Sequence, residues 1–504
     1  MSTAIAINAC GAEATVGCYP AIRASRRIFI AVVLLGVGIT ATQAEQAASI
    51  VDNFPGAEFE TTTPEAAGWS ADKIGEAKTW SQKVAPTAAV MIVQHGRIVA
   101  EWGETAVKSN LHSARKSLLS ALIGIAVDEH KIDPAATIGS LGIDDNEPAL
   151  TDIEKTATVA DLLKARSGIY HAALYETPGM AKLRPPRGSH PPGTFWYYNN
   201  WDFNALGTIY ERGTGQSIFA ALEQRIARPI GMQDYQPGDG EYFRGEASEH
   251  PAYPIRMSAR DLARFALLYL HGGRWRDRQL VPSGWVRQST QSYSAAFSEL
   301  GPGLGYGYMW WIGFPSDMGA PTVKVPPGTF EAMGAEGQYA FVIPAYDLVI
   351  VHRVNSDIPL APKGPRKPEP NFRQMARLLW LILSAAGDTD VGPDITLAHA
   401  TGARLEGDAL KSALAGKTLA VGKLLGGGPY AWQLRADGTL SVLGGPEHRE
   451  RFSGLWRIDE RGRYCRTLND LNDLRERCFF VVANEARFQF FSGDGLMLFD
   501  TQVE

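Results

Sequence analysis

The chain has 504 residues, of which 45% are hydrophobic and 20% charged, and its formal net charge is −5. Folded domains usually hold ~100–200 residues, so this length predicts two folded units together with processing sequence. The composition is ordinary for a globular protein, and the acidic balance offers no basic surface for nucleic acid, which we exclude as an expected partner.

The N-terminal segment has the layout of an export signal. Arg26 and Arg27 precede an apolar run at residues 28–40, and small residues follow up to Ala44. The run is shorter than the roughly 20 residues needed to cross a bilayer, so we expect a cleaved signal peptide over residues 1–44 and no stable membrane anchor. The mature protein is then periplasmic or secreted. The paired arginines also fit the twin-arginine motif, and the export route stays open.

The next part of the chain predicts a hairpin around His95-Gly96, a buried helix from Ser113 to Glu129, several further helices, a second hairpin around residues 344–347 and a closing apolar helix. The expected segments are residues 87–102, 113–129, 158–164, 202–212, 217–226, 258–270, 339–353 and 371–386. This order favours the α/β (α+β) class, with an antiparallel sheet flanked by helices and a helical insert, over residues 45–388.

The C-terminal segment, residues 391–504, consists of short β-prone pieces separated by glycine-containing turns, which predicts a small all-β domain. It holds Cys465 and Cys478, whereas Cys10 and Cys18 belong to the leader. One disulfide is the natural expectation for an exported protein. Neither zinc-type ligand spacing nor an HExxH motif occurs, so no metal and no cofactor are predicted.

Ser113-Ala-Arg-Lys116 opens the buried helix and carries the strongest chemical signal. Residues three apart on a helix project from one face, so a lysine amine can reach the serine hydroxyl that it must activate. Burial against the apolar helix, and a nearby cation such as Arg115, would lower the pKa of Lys116 toward a useful base. Ser113 is therefore the candidate nucleophile and Lys116 its base.

The spacing alone is a weak signal, because Ser70-Ala-Asp-Lys73 has it as well. Ser70 precedes a charged, amphipathic stretch and is better interpreted as a helix N-cap.

A second element lies at residues 195–207, which include Tyr197-Tyr198-Asn199-Asn200. It resembles the Tyr-x-Asn motif of the β-lactamase-like serine hydrolase superfamily. Tyr198 with Asn200 fits the family's register, and Tyr197 with Asn199 is the fallback. The resemblance implies that Tyr198 relays a proton and that the amide of Asn200 holds the lysine and the substrate. The alternative is an aromatic core segment.

Other stretches fit the same family in order and spacing, at residues 160–168, 228–232, 257–264 and 305–311. The resemblance spans roughly residues 55–386 and is nearest to the class C β-lactamase-related esterases, which include the 6-aminohexanoate-dimer hydrolases. It implies the β-lactamase/D,D-peptidase-like fold and a Ser113 acyl-enzyme.

The family's third motif is a basic residue, any residue and a glycine on the strand that borders the site. Here the window is residues 334–338, and Ala335 stands at the basic position. Carboxylate recognition of the β-lactam kind is therefore in doubt. We expect the backbone amides of Ser113 and Gln338 to form an oxyanion hole, with Gly337 keeping the approach open. Glu336 either binds a cationic substrate group or is simply solvated.

These features predict an exported serine hydrolase that cleaves a small-molecule ester or amide. The alternatives are a non-catalytic, penicillin-binding-like protein that uses the same cleft, and a D,D-peptidase or β-lactamase. The proline-rich residues 176–194 are expected to form a loop, either over the pocket or as inert surface. Substrate identity and oligomeric state cannot be predicted from the sequence.

Overall fold

The fold is that of a computed structural model, which describes residues 53–296, 304–315, 320, 322–357, 370–424, 428–444, 449–469 and 476–504. The expected signal peptide, residues 1–44, lies outside the described residues, as do Cys10 and Cys18. The predicted boundary between residues 388 and 391 stays a prediction.

The helices begin largely where the sequence places hydroxyl and amide caps. Ser70, Thr158, Ser217, Ser258 and Asn371 each accept a backbone N–H from the first turn of the helix that follows. The helices described are α1 (Ala71–Val84), α2 (Arg115–Asp128), α3 (Val159–Leu163), α4 (Pro178–Leu183), α5 (Asn200–Thr214), α6 (Ile218–Leu222), α7 (Ala259–Leu270), α8 (Ser283–Ser289), α9 (Phe372–Ala385) and α10 (Gly407–Leu414). The short helices α4, α8 and α10 were not predicted.

The first sheet has eight antiparallel strands in the order β2-β1-β14-β13-β12-β11-β10-β9, and the two predicted hairpins are β1–β2 and β13–β14. The other strands before residue 354 pair two by two, as β3 with β6, β4 with β5 and β7 with β8. The strands up to residue 354 are β1 (Thr87–Gln94), β2 (Arg97–Gly103), β3 (Ser109–Asn110), β4 (Phe243–Gly245), β5 (Ser248–Ala252), β6 (Arg256–Met257), β7 (Arg274–Trp275), β8 (Arg278–Gln279), β9 (Ser294–Ala295), β10 (Leu304–Tyr306), β11 (Trp311–Gly313), β12 (Phe330–Gly334), β13 (Gln338–Ile343) and β14 (Leu348–Val354).

The eight-stranded sheet is buried on both faces, which explains why β1 is a continuous apolar run. Met91 and Val93 point into the core shared with α2, α5 and α7, while Val90 and Ile92 point into the core shared with α1 and α9. Alternate residues of a strand face opposite sides, so both faces must be apolar when helices cover both. The predicted antiparallel sheet flanked by helices is confirmed.

The C-terminal strands form a separate nine-stranded sheet in the order β15-β21-β20-β19-β18-β17-β16-β23-β22. An additional pairing of β21 with β22 joins the ends of this series into a barrel-like ring, with β15 on its edge. Leu410 and Leu414 of α10 are buried in its core beside Trp432. The strands are β15 (Ala403–Leu405), β16 (Thr418–Leu424), β17 (Gly428–Leu434), β18 (Thr439–Gly444), β19 (Arg449–Ile458), β20 (Tyr464–Leu468), β21 (Arg477–Asn484), β22 (Arg487–Phe491) and β23 (Met497–Val503).

Cys465 and Cys478 are direct neighbours across β20 and β21 and are joined by a disulfide, as predicted. Hydrogen bonds also tie the C-terminal segment to the start of α9. Arg373 Nη1 donates to the carbonyl of Met497 at 3.0 Å, and Gln374 Nε2 donates to Asp494 Oδ2 at 2.7 Å. Within the described part of the chain, no helix is both long enough and apolar enough to span a bilayer.

Helix α2 is so closely packed that one glycine tests the fold. A Cβ on Gly124 would lie 2.3 Å from Trp285 Cδ1, whereas a Cβ on Gly75 in α1 would meet no atom within 4 Å. We expect Gly124→Ala to lower the free energy of unfolding by about 1–3 kcal/mol through overpacking. Gly75→Ala is the matched control and should raise it by about 0.5–1 kcal/mol, because alanine favours the helix. Denaturant unfolding of the two variants measures both effects, and equal stability of the two would contradict this packing.

Candidate active site

Ser113, Lys116 and Tyr198 meet in one hydrogen-bonded group. Lys116 Nζ donates to Ser113 Oγ at 2.8 Å and to Tyr198 Oη at 2.9 Å. Lys116 is in the first turn of α2, and Tyr198 lies two residues before α5. Two elements that are far apart in the chain thus converge on the serine hydroxyl, as the family resemblance implies.

The backbone before Ser113 holds the serine at the entrance of α2. His112 has φ 47, the left-handed conformation that is uncommon outside glycine. Its amide donates to Asn110 Oδ1 at 2.9 Å, and its carbonyl accepts from Arg115 Nη1 at 2.7 Å. Its ring nitrogen Nε2 lies 2.8 Å from Ser356 Oγ. These contacts stabilise a strained turn, a pattern that is common at functional sites.

Lys116 is the group best suited to accept a proton. Its side chain is buried, and its amine lies 4.8 Å from the ring centres of both Tyr198 and Phe203. Burial lowers the pKa of Lys116 well below its usual 10.5, and the neighbouring charge of Arg115 lowers it further. A neutral amine bonded to a serine hydroxyl is a competent base.

Tyr198 is suited to relay a proton rather than to hold a negative charge. Burial raises the pKa of Tyr198 to about 12, although a hydrogen bond with Ser113 and the charge of Arg115 oppose the rise. Its ring stacks on Trp311, with centres 5.3 Å apart, and this contact fixes its orientation. The phenol therefore stays protonated at neutral pH and bridges the amine to the reacting centre.

The structure distinguishes the two readings of the Tyr-x-Asn motif. Tyr197 Oη donates to the carbonyl of Met180, and Asn199 caps α5, so the fallback pair does not contact Lys116. Asn200 lines the same cavity as Ser113, but its amide donates to the carbonyl of Tyr175 at 2.8 Å rather than holding the lysine. Asn200 Oδ1 is buried and has no hydrogen-bond partner in the described part of the chain, so it can accept from a ligand.

The third motif requires a correction. Residues 335–337 do not lie on a strand but form the turn between β12 and β13, in which Glu336 and Gly337 have φ 62 and 83. The residue that touches the nucleophile is Gly334, where a Cβ would lie 3.0 Å from Ser113 N and 2.3 Å from the carbonyl oxygen of Leu111. A Cβ on Gly337 would instead meet Pro370 and Val354 at 2.9 Å. Gly334 thus permits the close approach to Ser113 N, while Gly337, which was predicted for that role, lines the same cavity.

Gln338 begins β13 opposite Gly334 and does not line the cavity, in the part of the chain that the structure describes. Its side chain donates to the carbonyls of Glu336 and Val354 and accepts from buried Arg353. Its assignment to the oxyanion hole stays a prediction. Glu336, by contrast, is half-buried and does line the cavity.

The cavity over Ser113 has a volume of about 620 Å³. Its walls include Arg115, Tyr175, Met180 and Trp311, none of which was predicted as a site residue. Tyr175 and Met180 come from the insert between α3 and α5, so the residues 176–194 do contribute to the pocket, through the unpredicted helix α4. Arg115 was recognisable from its place inside the Ser113–Lys116 motif, and Met180 lies in the segment expected near the pocket. Nothing local in the sequence indicated Tyr175 or Trp311.

The duplicate motif at Ser70 is structural. Ser70 Oγ accepts the amide of Lys73 and caps α1, and Lys73 Nζ lies 5.4 Å from the ring centre of Trp380. Its interpretation as an N-cap is confirmed.

The sequence matches the model of the family described as Beta-lactamase over residues 71–368. It is 25% identical over 301 residues to an uncharacterized protein of Alkalihalophilus pseudofirmus. The matched region covers 53% of this chain and 84% of that protein. It is 27% identical over 147 residues to the esterase EstB of Burkholderia gladioli. The matched region covers 29% of this chain and 37% of EstB. The chain thus spans little more than a third of that relative.

Among solved structures, the chain is similar to a candidate 6-aminohexanoate-dimer hydrolase from Bacillus anthracis. The sequence identity is 20% and the TM-score 0.45, with 67% of this chain and 89% of that chain covered.

The lowered pKa of Lys116 predicts a specific pH dependence. The labelling rate of Ser113 by a fluorophosphonate should rise with pH through the ionisation of Lys116, because only the neutral amine accepts the hydroxyl proton. In Arg115→Met this rise of the labelling rate should occur at higher pH. Removing the neighbouring cation raises the pKa of Lys116, because the protonated amine is then less unfavourable. Labelling rates measured across the pH range test this, and a rise that stays in place or moves to lower pH would contradict the assigned role of Arg115.

Proposed function

Because the chain belongs to the Beta-lactamase family, we propose that it is a serine hydrolase that cleaves an ester or amide bond through an acyl-enzyme on Ser113. The observation that carries the proposal is the pair of hydrogen bonds made by Lys116 Nζ. One joins it to Ser113 Oγ at 2.8 Å, and the other joins it to Tyr198 Oη at 2.9 Å. A nucleophile, a base with a lowered pKa and a proton relay are what acyl transfer requires.

The proposed reaction has two halves. Neutral Lys116 takes the proton of Ser113 as Oγ attacks the carbonyl carbon, and the tetrahedral intermediate collapses when the leaving group receives a proton through Tyr198. Water then attacks the acyl-enzyme, with the same groups moving protons in the reverse direction, and the acid is released from Ser113.

Two backbone amides are proposed to stabilise the oxyanion. The amide of Ser113 is one donor. Since Gly334 lies against Ser113 N and Ala335 lines the cavity, the amide of Ala335 is a better-placed second donor than that of Gln338. Preorganised donors of this kind contribute about 2.7–4 kcal/mol each to transition-state stabilisation.

The proposed substrates are esters or amides rather than β-lactams. The family's basic position is an alanine whether the motif ends at Gly337 or at Gly334, namely Ala335 or Ala332. The relatives include the esterase EstB. The two alternatives differ in outcome: a D,D-peptidase or β-lactamase would form a covalent adduct with benzylpenicillin, and a non-catalytic binding protein would bind ligands without turnover.

We also propose that the protein is exported and acts in the periplasm or outside the cell. The signal-like residues 1–44 and the disulfide between Cys465 and Cys478 support this location, because structural disulfides persist in oxidising compartments.

The duplicate motif supplies a matched control for the nucleophile. We expect Ser113→Ala to reduce hydrolysis of p-nitrophenyl acetate to the uncatalysed background. Within the described part of the chain, the hydroxyl groups bonded to Lys116 are those of Ser113 and Tyr198, and Tyr198 is assigned the proton relay. Ser70→Ala, which removes only a helix cap, should lose about 1 kcal/mol of stability and keep its activity. Initial rates and unfolding curves measure both, and Ser113→Ala with wild-type turnover would reject the assignment.

The adjacent tyrosines give a second matched pair. Tyr198→Phe removes the proposed proton relay and should lower kcat by about a hundredfold or more. Tyr197→Phe loses only a hydrogen bond to the carbonyl of Met180 and should retain most of the activity. Steady-state kinetics on the two variants decide between them, and a reversed order would restore the fallback pair of Tyr197 with Asn199.

Export is tested by fractionating cells that express the full chain. We expect the protein in the periplasm or medium, with a new N-terminus near Glu45 and with Cys465 joined to Cys478 in peptide mass spectra. Protein that retains Met1 in the cytoplasm, with free thiols, would contradict the proposed location.

A further inference from the structure

Arg115 is a buried cation in the wall of the cavity over Ser113, and only one of its three guanidinium nitrogens has a hydrogen-bond partner among the described residues. The side chain is 1% exposed, and it lines the cavity beside Ser113 and Lys116. Nη1 donates to the carbonyl of His112, whereas Nε and Nη2 have no hydrogen-bond partner among the residues that the structure describes. We propose that this free edge of Arg115 binds a carboxylate group of the substrate.

The two unpartnered atoms are the ones that a carboxylate needs. Nε and Nη2 share one edge of the planar guanidinium group, and their N–H bonds point in parallel, so they can bind both oxygens of a carboxylate at once. The third nitrogen, Nη1, is already anchored to the backbone of His112 and fixes the plane of the group. The free edge is thus complete and preorganised.

A buried cation without an anionic partner is costly, because desolvation is not offset by a neighbouring charge. Among the residues that the structure describes, no carboxylate forms an ion pair with Arg115. Its nearest compensation comes from the rings of Tyr253 and Tyr175, whose centres lie 4.9 Å and 5.5 Å from Cζ. Such contacts are weaker than a bidentate ion pair, so an anionic ligand would gain most of its affinity here.

Tyr175 is the part of the wall that can give access to this edge. Its side chain is 36% exposed at the rim of the cavity, and its backbone has φ 64, a left-handed conformation for a bulky residue. Its phenol oxygen accepts a long hydrogen bond, of 3.4 Å, from Asn110 Nδ2. Because Nε and Nη2 of Arg115 are buried, the proposal requires the Tyr175 ring to move when a carboxylate binds.

Glu336 gives the cavity a second charge, of opposite sign. It lines the cavity with Arg115. Burial lowers the pKa of His112, the charge of Glu336 opposes that shift, and the charge of Arg115 adds to it. A carboxylate bound at Arg115 would be attracted by the arginine and repelled by Glu336. The two residues therefore provide variants with opposite expected effects.

The proposal rests on the serine hydrolase function and names its substrate class: esters or amides that carry a carboxylate. It also replaces a feature that the sequence left missing. Two residues before Gly334 stands Ala332, and two residues before Gly337 stands Ala335, so neither register of the motif supplies a basic residue. In the proposal the cationic group comes from the helix of the nucleophile instead of the neighbouring strand.

The test compares esters that differ only in charge. One pair is p-nitrophenyl hydrogen glutarate and its methyl ester, with the carboxylate on the acyl side, and the other is p-acetoxybenzoate and its methyl ester, with the carboxylate on the leaving group. The readout is the ratio of kcat/KM for the anionic over the neutral member of each pair. Rates are measured at a pH above the pKa of Lys116, where the amine is neutral. A shift of that pKa in a variant then does not change the ratio.

We expect the wild-type ratio to favour the anion by about tenfold or more in at least one pair, the scale of a hydrogen-bonded charge pair. Arg115→Met should bring that ratio to about one or below, Arg115→Lys should keep part of it, and Glu336→Gln should raise it. The wild-type ratio needs no variant, so misfolding of Arg115→Met would not leave the proposal untested.

Three results separate the possible failures. Ser113-dependent turnover of the neutral esters with no anion preference in either pair overturns the carboxylate site and leaves the hydrolase function standing. An anion preference that survives in a folded Arg115→Met variant also overturns it, because the recognition then lies elsewhere. No Ser113-dependent turnover of any of the four esters overturns the proposed function itself.

Discussion

The removal of Lys116 from water is the constraint on which the site depends. An amine in solution is protonated at neutral pH and cannot activate a hydroxyl, and only burial with a neighbouring cation makes the neutral form available. Three features bury Lys116: the apolar residues of α2, the packing of α2 against the eight-stranded sheet, and the aromatic rings of Tyr198 and Phe203. The fold supplies an environment in which an ordinary lysine becomes a base.

The same desolvation makes Arg115 significant. Its charge helps to keep Lys116 neutral, yet a buried and unpaired cation is itself unfavourable, and the protein accepts that cost next to its nucleophile. An anionic substrate would relieve it. On this account one residue links the activation of the base to the recognition of the substrate, and the left-handed His112, which accepts from Arg115 Nη1, links both to the position of Ser113.

Sequence reasoning succeeded where the signal is local or belongs to the family pattern. The hairpins, the buried helix, the cap at Ser70 and the pairing of Cys465 with Cys478 follow from periodicity, capping chemistry and compartment. The preference for Tyr198 over Tyr197 came from the register of the family motif. The structure places Tyr198 Oη against Lys116 Nζ, and the catalytic role of Tyr198 stays a prediction. Reasoning failed at the turn after β12, because the closest approach to Ser113 depends on where that strand ends. A shift of three residues moved the contact from Gly337 to Gly334. Tyr175 and Trp311 reach the cavity through tertiary packing alone and left no local signal.

The family match and the geometry together support an acyl-transfer enzyme, whereas its substrate range and location rest on the proposals made above. The most direct test of the central claim is to quench the enzyme during turnover of a p-nitrophenyl ester and map the bound acyl group by peptide mass spectrometry. The account predicts one acyl group, on Ser113, which is absent from Ser113→Ala. Turnover without any acylated intermediate, or an acyl group on Ser70 or another residue, would contradict it.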